Sequence, residues 1–258
     1  MKTSIKQKIM NIKQIVLMLF FVGFGTSTIA QDAKEIIKKM DDKLQGDSNK
    51  SEMTMSIVRP KYTRTIAFKN WSLGRDYFLT YVTAPSKDKG MVSMKYEKEM
   101  WSYTPSINRM IKLPPSMMSQ GWMGSDYTND DLVKQSSIVN DYTHTIIGEE
   151  TINGRDCYNI QMIPNNDANV VWGKIVIWVD KDKIINLKAE YYDEEEFLVR
   201  TELGKEIKTF DGRELPSVME IIPAEEPKNR TIITIISMEF DVDIKESFFS
   251  QQNMKRVR

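Results

Sequence analysis

"SEMTMSIV", residues 51–58, places Met53, Met55 and Ile57 at every second position, with Glu52, Thr54 and Ser56 between them. A period of two sets the apolar residues on one face of an extended chain and the polar ones on the other, the pattern of a half-buried β-strand. The stretches that follow repeat it. "RTIAFKNW", "RDYFLTYVT", "GMVSMKY", "EMWSYT" and "RMIKL" come at short intervals, joined by turn-like "LGR", "PSKDKG" and "EKE", so the first half reads as an antiparallel meander. A second set runs "DYTHTIIGEE", "RDCYNIQMI", "KIVIWVD", "IINLKAEYY", "LVRTELG", "EIKTF", "LPSVMEIIP" and "TIITIISMEF", joined by "ING", "DKDK", "DEEE" and "DGRE". These are too many hairpins for a flat sheet, so the chain is expected to be mainly β and to curl toward a barrel or half-barrel of about 11 strands.

Two segments break the strand pattern. "QDAKEIIKKMDDKLQG" sets Ile36 or Ile37, Met40 and Leu44 at helical spacing, ahead of the stop Gly46, which predicts a short amphipathic N-terminal helix. Between the two strand sets lies "PPSMMSQGWMGSDYTNDDL", residues 114–132. Thr128 with Asp131 three residues on predicts a capped helix start, so this segment reads as a long loop running into a short helix. Its Met117, Met118, Trp122 and Met123 need an apolar object to cover them.

Some strands are apolar on both faces. In "KIVIWV", Ile175, Ile177 and Val179 oppose Val176 and Trp178, and in "TIITIISMEF", Ile232, Ile236 and Met238 oppose Ile233 and Ile235. Either one face lines an apolar cavity or two sheets enclose a dry core. Methionine tips the balance toward the cavity. Nine of the 17 fall between Met53 and Met123, and unbranched, polarisable side chains suit variable apolar partners.

The ends and the composition set the compartment. Residues 1–30 hold four lysines and no acid around the apolar run "IVLMLFFVGFG", the layout of a secretory signal, with cleavage expected after Ala30. Residues 31–258 then form one domain. The chain is expected in the periplasm and not lipidated, because its single cysteine, Cys157, lies far from the signal. With 36 basic and 36 acidic residues in all, loss of the four signal lysines leaves an acidic domain, a poor match to nucleic acid.

Chemistry-bearing residues are few. His144, the one histidine, has no ligand at metal spacing and reads as a surface or hydrogen-bonded strand residue. Cys157 reads as a buried structural thiol, with only His144 available as a base. "YYDEEEF" lacks the glycine and alternating donors of a calcium loop and reads as a solvated turn. The chain is therefore expected to be no enzyme and to need no cofactor or metal.

The run "MWSYTPSINRMIKLPPSMMSQGWMGSDYTNDDLV", with "TINGRDCYNIQMIP", "IVIWVDKDKIINLKAEYYD" and the closing "FFSQQNMKR", resembles the LolA-like family of periplasmic outer-membrane lipoprotein-sorting proteins, and the likeness covers essentially all of residues 31–258. It implies an unclosed antiparallel β-barrel whose concave face is covered by the N-terminal helix and a loop-helix plug. It also implies a carrier that takes the acyl chains of a lipoprotein or lipid and shuttles them toward the outer membrane. The cavity and lid would be formed by Met91, Met94, Trp101, Tyr103, Met110, Leu113, Met117, Met118, Trp122 and Met123. The arginine that locks the lid is open among Arg59, Arg64 and Arg75. The implied partners are the acyl cargo, an inner-membrane RND-type transporter and, transiently, a membrane, for a monomeric carrier. The competing expectation is a non-enzymatic module that docks such an exporter and carries nothing.

Overall fold

The computed structural model describes residues 25–134 and 138–258, with side chains from residue 32 onward. Residues 1–24 of the expected signal peptide thus lie outside the described residues.

Helix α1, Gly25–Gln45, buries Ala33, Ile37 and Met40 along one stripe, while Lys34, Glu35, Lys38 and Lys39 face solvent. Gly46 ends it at φ +64°, with its N–H donating to the Asp42 carbonyl at 2.9 Å. Among the described residues no helix is long and apolar enough to cross a membrane.

Six strands follow: β1 Ser48–Arg59, β2 Tyr62–Leu73, β3 Tyr77–Ala84, β4 Val92–Tyr96, β5 Glu99–Thr104 and β6 Arg109–Lys112. Short helices α2, Pro115–Met118, and α3, Asn129–Lys134, lead to β7 Tyr142–Ile152, β8 Arg155–Pro164, β9 Lys174–Asp180, β10 Asn186–Tyr192, β11 Leu198–Phe210, β12 Arg213–Pro223 and β13 Arg230–Phe240. Helix α4, Gln251–Met254, closes the order, its first turn capped by Ser250, whose hydroxyl accepts from the Asn253 N–H.

All thirteen strands form one antiparallel sheet in the order β6-β5-β4-β3-β2-β1-β13-β12-β11-β10-β9-β8-β7. This is the mainly β, unclosed half-barrel expected, with thirteen strands in place of about eleven. "LVRTELG" and "EIKTF" run together as β11 because Glu206, at φ +51°, stays inside the ladder, where the Ser217 hydroxyl donates to its carbonyl at 2.7 Å. The two meanders join where β1 pairs β13. Strands β6 and β7 are left as the free edges, and one continuous sheet replaces the two-sheet alternative.

Both faces are covered. On the inner face Ile175, Ile177 and Val179 of β9 pack with Ala33, Ile37 and Met40 of α1. Val176 and Trp178 point outward, where the Trp178 ring donates to Glu150 at 2.6 Å and carries the Lys188 ammonium 4.1 Å above its centre. At the other end, outward-facing Leu79, Tyr81, Val92 and Met94 are roofed by Phe249, Met254 and Val257 from the C-terminal segment.

Candidate functional site

The two free edges are joined by residues 113–141, so the methionine-tryptophan segment has to cross the open side of the sheet. Local chemistry folds it. The Asp131 N–H donates to Thr128 Oγ1 at 3.0 Å while the Thr128 N–H donates back to Asp131 Oδ2 at 2.9 Å, a reciprocal cap with aspartate as the returning group. Asn129 Nδ2 donates to the carbonyls of Met117 and Gln120, tying α3 to α2. Gly121 approaches the Ser125 carbonyl so closely that a Cβ there would sit 2.4 Å from it. Trp122 is buried with its ring edge-on to Phe68, centroids 5.7 Å apart, and its Nε1–H donates to Ser93 Oγ at 3.1 Å.

Three arginines hold this plug to the sheet. Arg59 forks onto Asp126 at 3.0 and 3.1 Å and onto the Gly124 carbonyl at 3.2 Å. Thr231 donates to the same carboxylate at 2.7 Å. Arg64 donates to the Met123 carbonyl at 3.1 Å and to Asp88 at 2.7 Å. Arg75, the third arginine left open by the sequence, serves α1: it donates to Asp41 and Asp42, each at 2.7 Å.

The third clamp is Arg200 on β11, which sequence reasoning missed. Only 4% exposed, its guanidinium donates to both Asp131 oxygens at 2.7 and 3.2 Å and lies 3.0 Å from Glu202 as an ion pair. It is ringed by Tyr127, Trp172 and Tyr191, with ring centres 4.4–4.7 Å away. Trp172 donates to Asp131 at 3.1 Å and Tyr191 to Glu202 at 3.2 Å. Burial pushes the Glu202 carboxyl above its ordinary range, and Arg200 works against that rise.

Beneath α1 and the plug lies a cavity of about 330 Å³. Its apolar wall draws on both halves of the sheet, with Met53, Phe68 and Phe78 on one side and Ile175, Ile177, Ile185, Leu215, Ile233 and Met238 on the other. Met40 and Leu44 of α1 and Trp122 and Leu132 of the plug complete it. A polar block of Asn49, Asn70, Ser72, Thr80 and Lys95 lines the end toward the close of α1.

Of the ten residues expected at the cavity and lid, Trp122 lines it. Met91, Leu113, Met118 and Met123 pack around Trp122 in the same inner cluster as Phe68 and Val82. Met117 is half-buried in α2, its carbonyl taken by Asn129. Met94, Trp101, Tyr103 and Met110 lie elsewhere: the register pairs Met94 with Trp101 and Tyr103 with Met110, and all four pack with the C-terminal Phe249 and Met254 on the outer face.

His144 and Cys157 are not brought together. His144 pairs with Met162, five positions along β8 from Cys157, a separation of roughly 17 Å at strand rise. The histidine is buried, not at the surface, and its Nε2–H donates to the Ile138 carbonyl at 2.7 Å. Burial lowers its pKa, with Lys34 adding to the effect. Cys157 is buried and its thiol is pushed up by burial. In the "YYDEEEF" turn, Asp193 accepts from the N–H groups of Glu195 and Phe197.

A family model described as "-like: Uncharacterized protein" matches residues 74–256, more than half of the chain. No curated protein matches. Among solved structures, a DUF1329 family protein from Desulfovibrio piger is 25% identical, covers 88% of this chain and 99% of its own, and superposes with a TM-score of 0.79. An outer membrane lipoprotein-sorting protein domain from Vibrio parahaemolyticus is 22% identical over 88% of this chain and 100% of its own, with a TM-score of 0.75. A LolA superfamily protein from Nitrosomonas europaea is 20% identical over 85% and 98%, with a TM-score of 0.72. The chain therefore belongs to the family of that model, and the superpositions show that it has the fold of the LolA superfamily and lipoprotein-sorting structures.

Proposed function

We propose that the protein is a periplasmic carrier that takes the acyl part of a lipoprotein or lipid into the cavity and delivers it toward the outer membrane. The observation that carries this reading is the apolar cavity beneath a plug that is held by charged pairs together with the packing of Trp122. Each methylene taken from water contributes about 0.8 kcal/mol, so such a chamber stabilises a chain in transit, and the plug is the element that has to move to admit it. The signal-like residues 1–30 support export. The resemblance alone supports an RND-type transporter as donor, brief membrane contact and a monomeric state. A module that only docks an exporter would be expected to have a solid interior, and the cavity weighs against it.

The test is purification without added lipid, organic extraction and mass spectrometry. An acylated species in about one-to-one ratio supports the carrier. Repeated failure to find or load one removes it.

A further inference from the structure

The inner face of β1–β4 is not uniformly apolar. Register sets Ser51, Asn70 and Thr80 side by side in one row, and in the next Asn49 and Ser72 are followed by Phe78 and then Lys95. One row nearer the plug, Met53 and Phe68 return the wall to hydrocarbon. Thr80 donates to Asn70, and Asn49 donates to the Gln45 carbonyl at 2.9 Å. The hydroxyls of Ser51 and Ser72 are buried without a hydrogen-bond partner, and Ser72 lines the cavity. A buried hydroxyl left unpaired is costly, and a hydrocarbon ligand would leave it so.

Resting on the carrier reading, we infer that the cavity takes an amphiphile whose head is buried with its chain, a compact uncharged group of hydroxyl and ester oxygens such as an acylglycerol presents. The charge at this end argues for an uncharged head, since Arg75 is paired with Asp41 and Asp42 and the Lys95 ammonium donates to the Arg75 carbonyl at 2.6 Å. Burial also pulls the Lys95 ammonium down and pushes the Asp41 carboxyl up, so both groups already resist charge. A volume of about 330 Å³ is at the low end for ligand pockets, which suits one chain while the plug is shut.

The experiment is calorimetric titration of the full protein, below the critical micelle concentration, with glycerol monolaurate, laurate and dodecyl methyl ether. Glycerol monolaurate should bind about tenfold more tightly than either of the others, the scale of one buried hydrogen bond gained. Ser51→Ala/Ser72→Ala removes hydroxyls that hold nothing in the fold, so its melting temperature should not fall. It should lose the tenfold preference while its affinity for the ether is kept, and Ser72→Thr, which retains a hydroxyl, should keep most of the preference. A tighter complex with laurate, or a preference unchanged in the double variant, overturns the inference and leaves the carrier reading standing. No binding by any of the three overturns both. A dilauroylglyceryl-cysteine peptide added as a fourth arm separates the sources: dependence on Ser51 and Ser72 there assigns the head to a lipoprotein, and dependence for the monolaurate alone assigns it to a free lipid.

Discussion

Arg200 shows how much one side chain holds here. Its charge is buried against Asp131 and Glu202 and between three aromatic rings, so truncation strands two carboxylates in a low-dielectric pocket. Arg200→Ala should therefore lower the unfolding free energy by about 3–5 kcal/mol. Arg200→Lys should cost less, since it keeps the charge and gives up only the fork and the stacking. Urea denaturation checks the order, and equal losses would sink the claim that the fork matters. In the sequence "LVRTELG" shows three polar residues in a row, Arg200, Thr201 and Glu202; that the face carrying Arg200 and Glu202 turns inward depends on Asp131, 69 residues from Arg200, which no local pattern reveals. His144 gives a pH handle. Its folded pKa lies below the ordinary 6.5, so the folded state binds fewer protons than the unfolded state as pH falls below that value. Its contribution is present above about pH 6.5 and is lost on going down from there. His144→Gln, which can still donate to the Ile138 carbonyl, should flatten that part of the melting-temperature profile between pH 7 and 5, and an unchanged profile would remove the assignment.

The plug is the element on which motion depends, and its attachments are side-chain pairs at identifiable points. Arg59→Gln weakens the fork onto Asp126 and leaves the Arg200 cluster intact. Amide hydrogens of residues 115–134 should then exchange several-fold faster while those of β9 and β10 hold their rates, because local opening is governed by local contacts. Uniform acceleration would mean that the plug is part of the global core. Trp122→Ala with Met123→Ala should weaken loading and leave the far-ultraviolet spectrum unchanged. Loading equal to wild type would remove Trp122 from the lid. Alternation in "GMVSMKY" and "EMWSYT" makes it legible that Met94, Trp101 and Tyr103 share a face. It cannot say which of two covered faces, since the cover on the outer one, Phe249 and Met254, arrives from the far end of the chain. Phe249 is 1% exposed, so Phe249→Ala should cost about 3–5 kcal/mol by denaturation without altering ligand affinity. Loss of binding in a folded Phe249→Ala protein would show that the outer face is coupled to the cavity.

At the scale of the whole molecule, an open sheet has to be held in its curve by what crosses it. Period two made the strands and their meander legible, and the two-faced "KIVIWV" pointed to cover on both sides. The volume left between the faces is a property of curvature and of residues far apart in the chain, such as Met53 and Ile177, which both line it. That geometry has a thermodynamic consequence. A ligand seated there contacts α1, the plug and both halves of the sheet together, so it binds the folded chain and has no site on the unfolded one. At a free concentration one hundred times its dissociation constant, such a ligand adds about 2.7 kcal/mol to the unfolding free energy. For a domain of this size each kcal/mol moves the midpoint by about 2–4 °C, so glycerol monolaurate at that excess should raise the melting temperature by roughly 5–10 °C. The rise should follow the logarithm of ligand concentration and should shrink in Trp122→Ala/Met123→Ala in step with its weaker binding. A midpoint that stays put at that excess would mean that the ligand sits on the surface or binds the unfolded chain equally well, and the cavity would lose its standing as the carrier's hold.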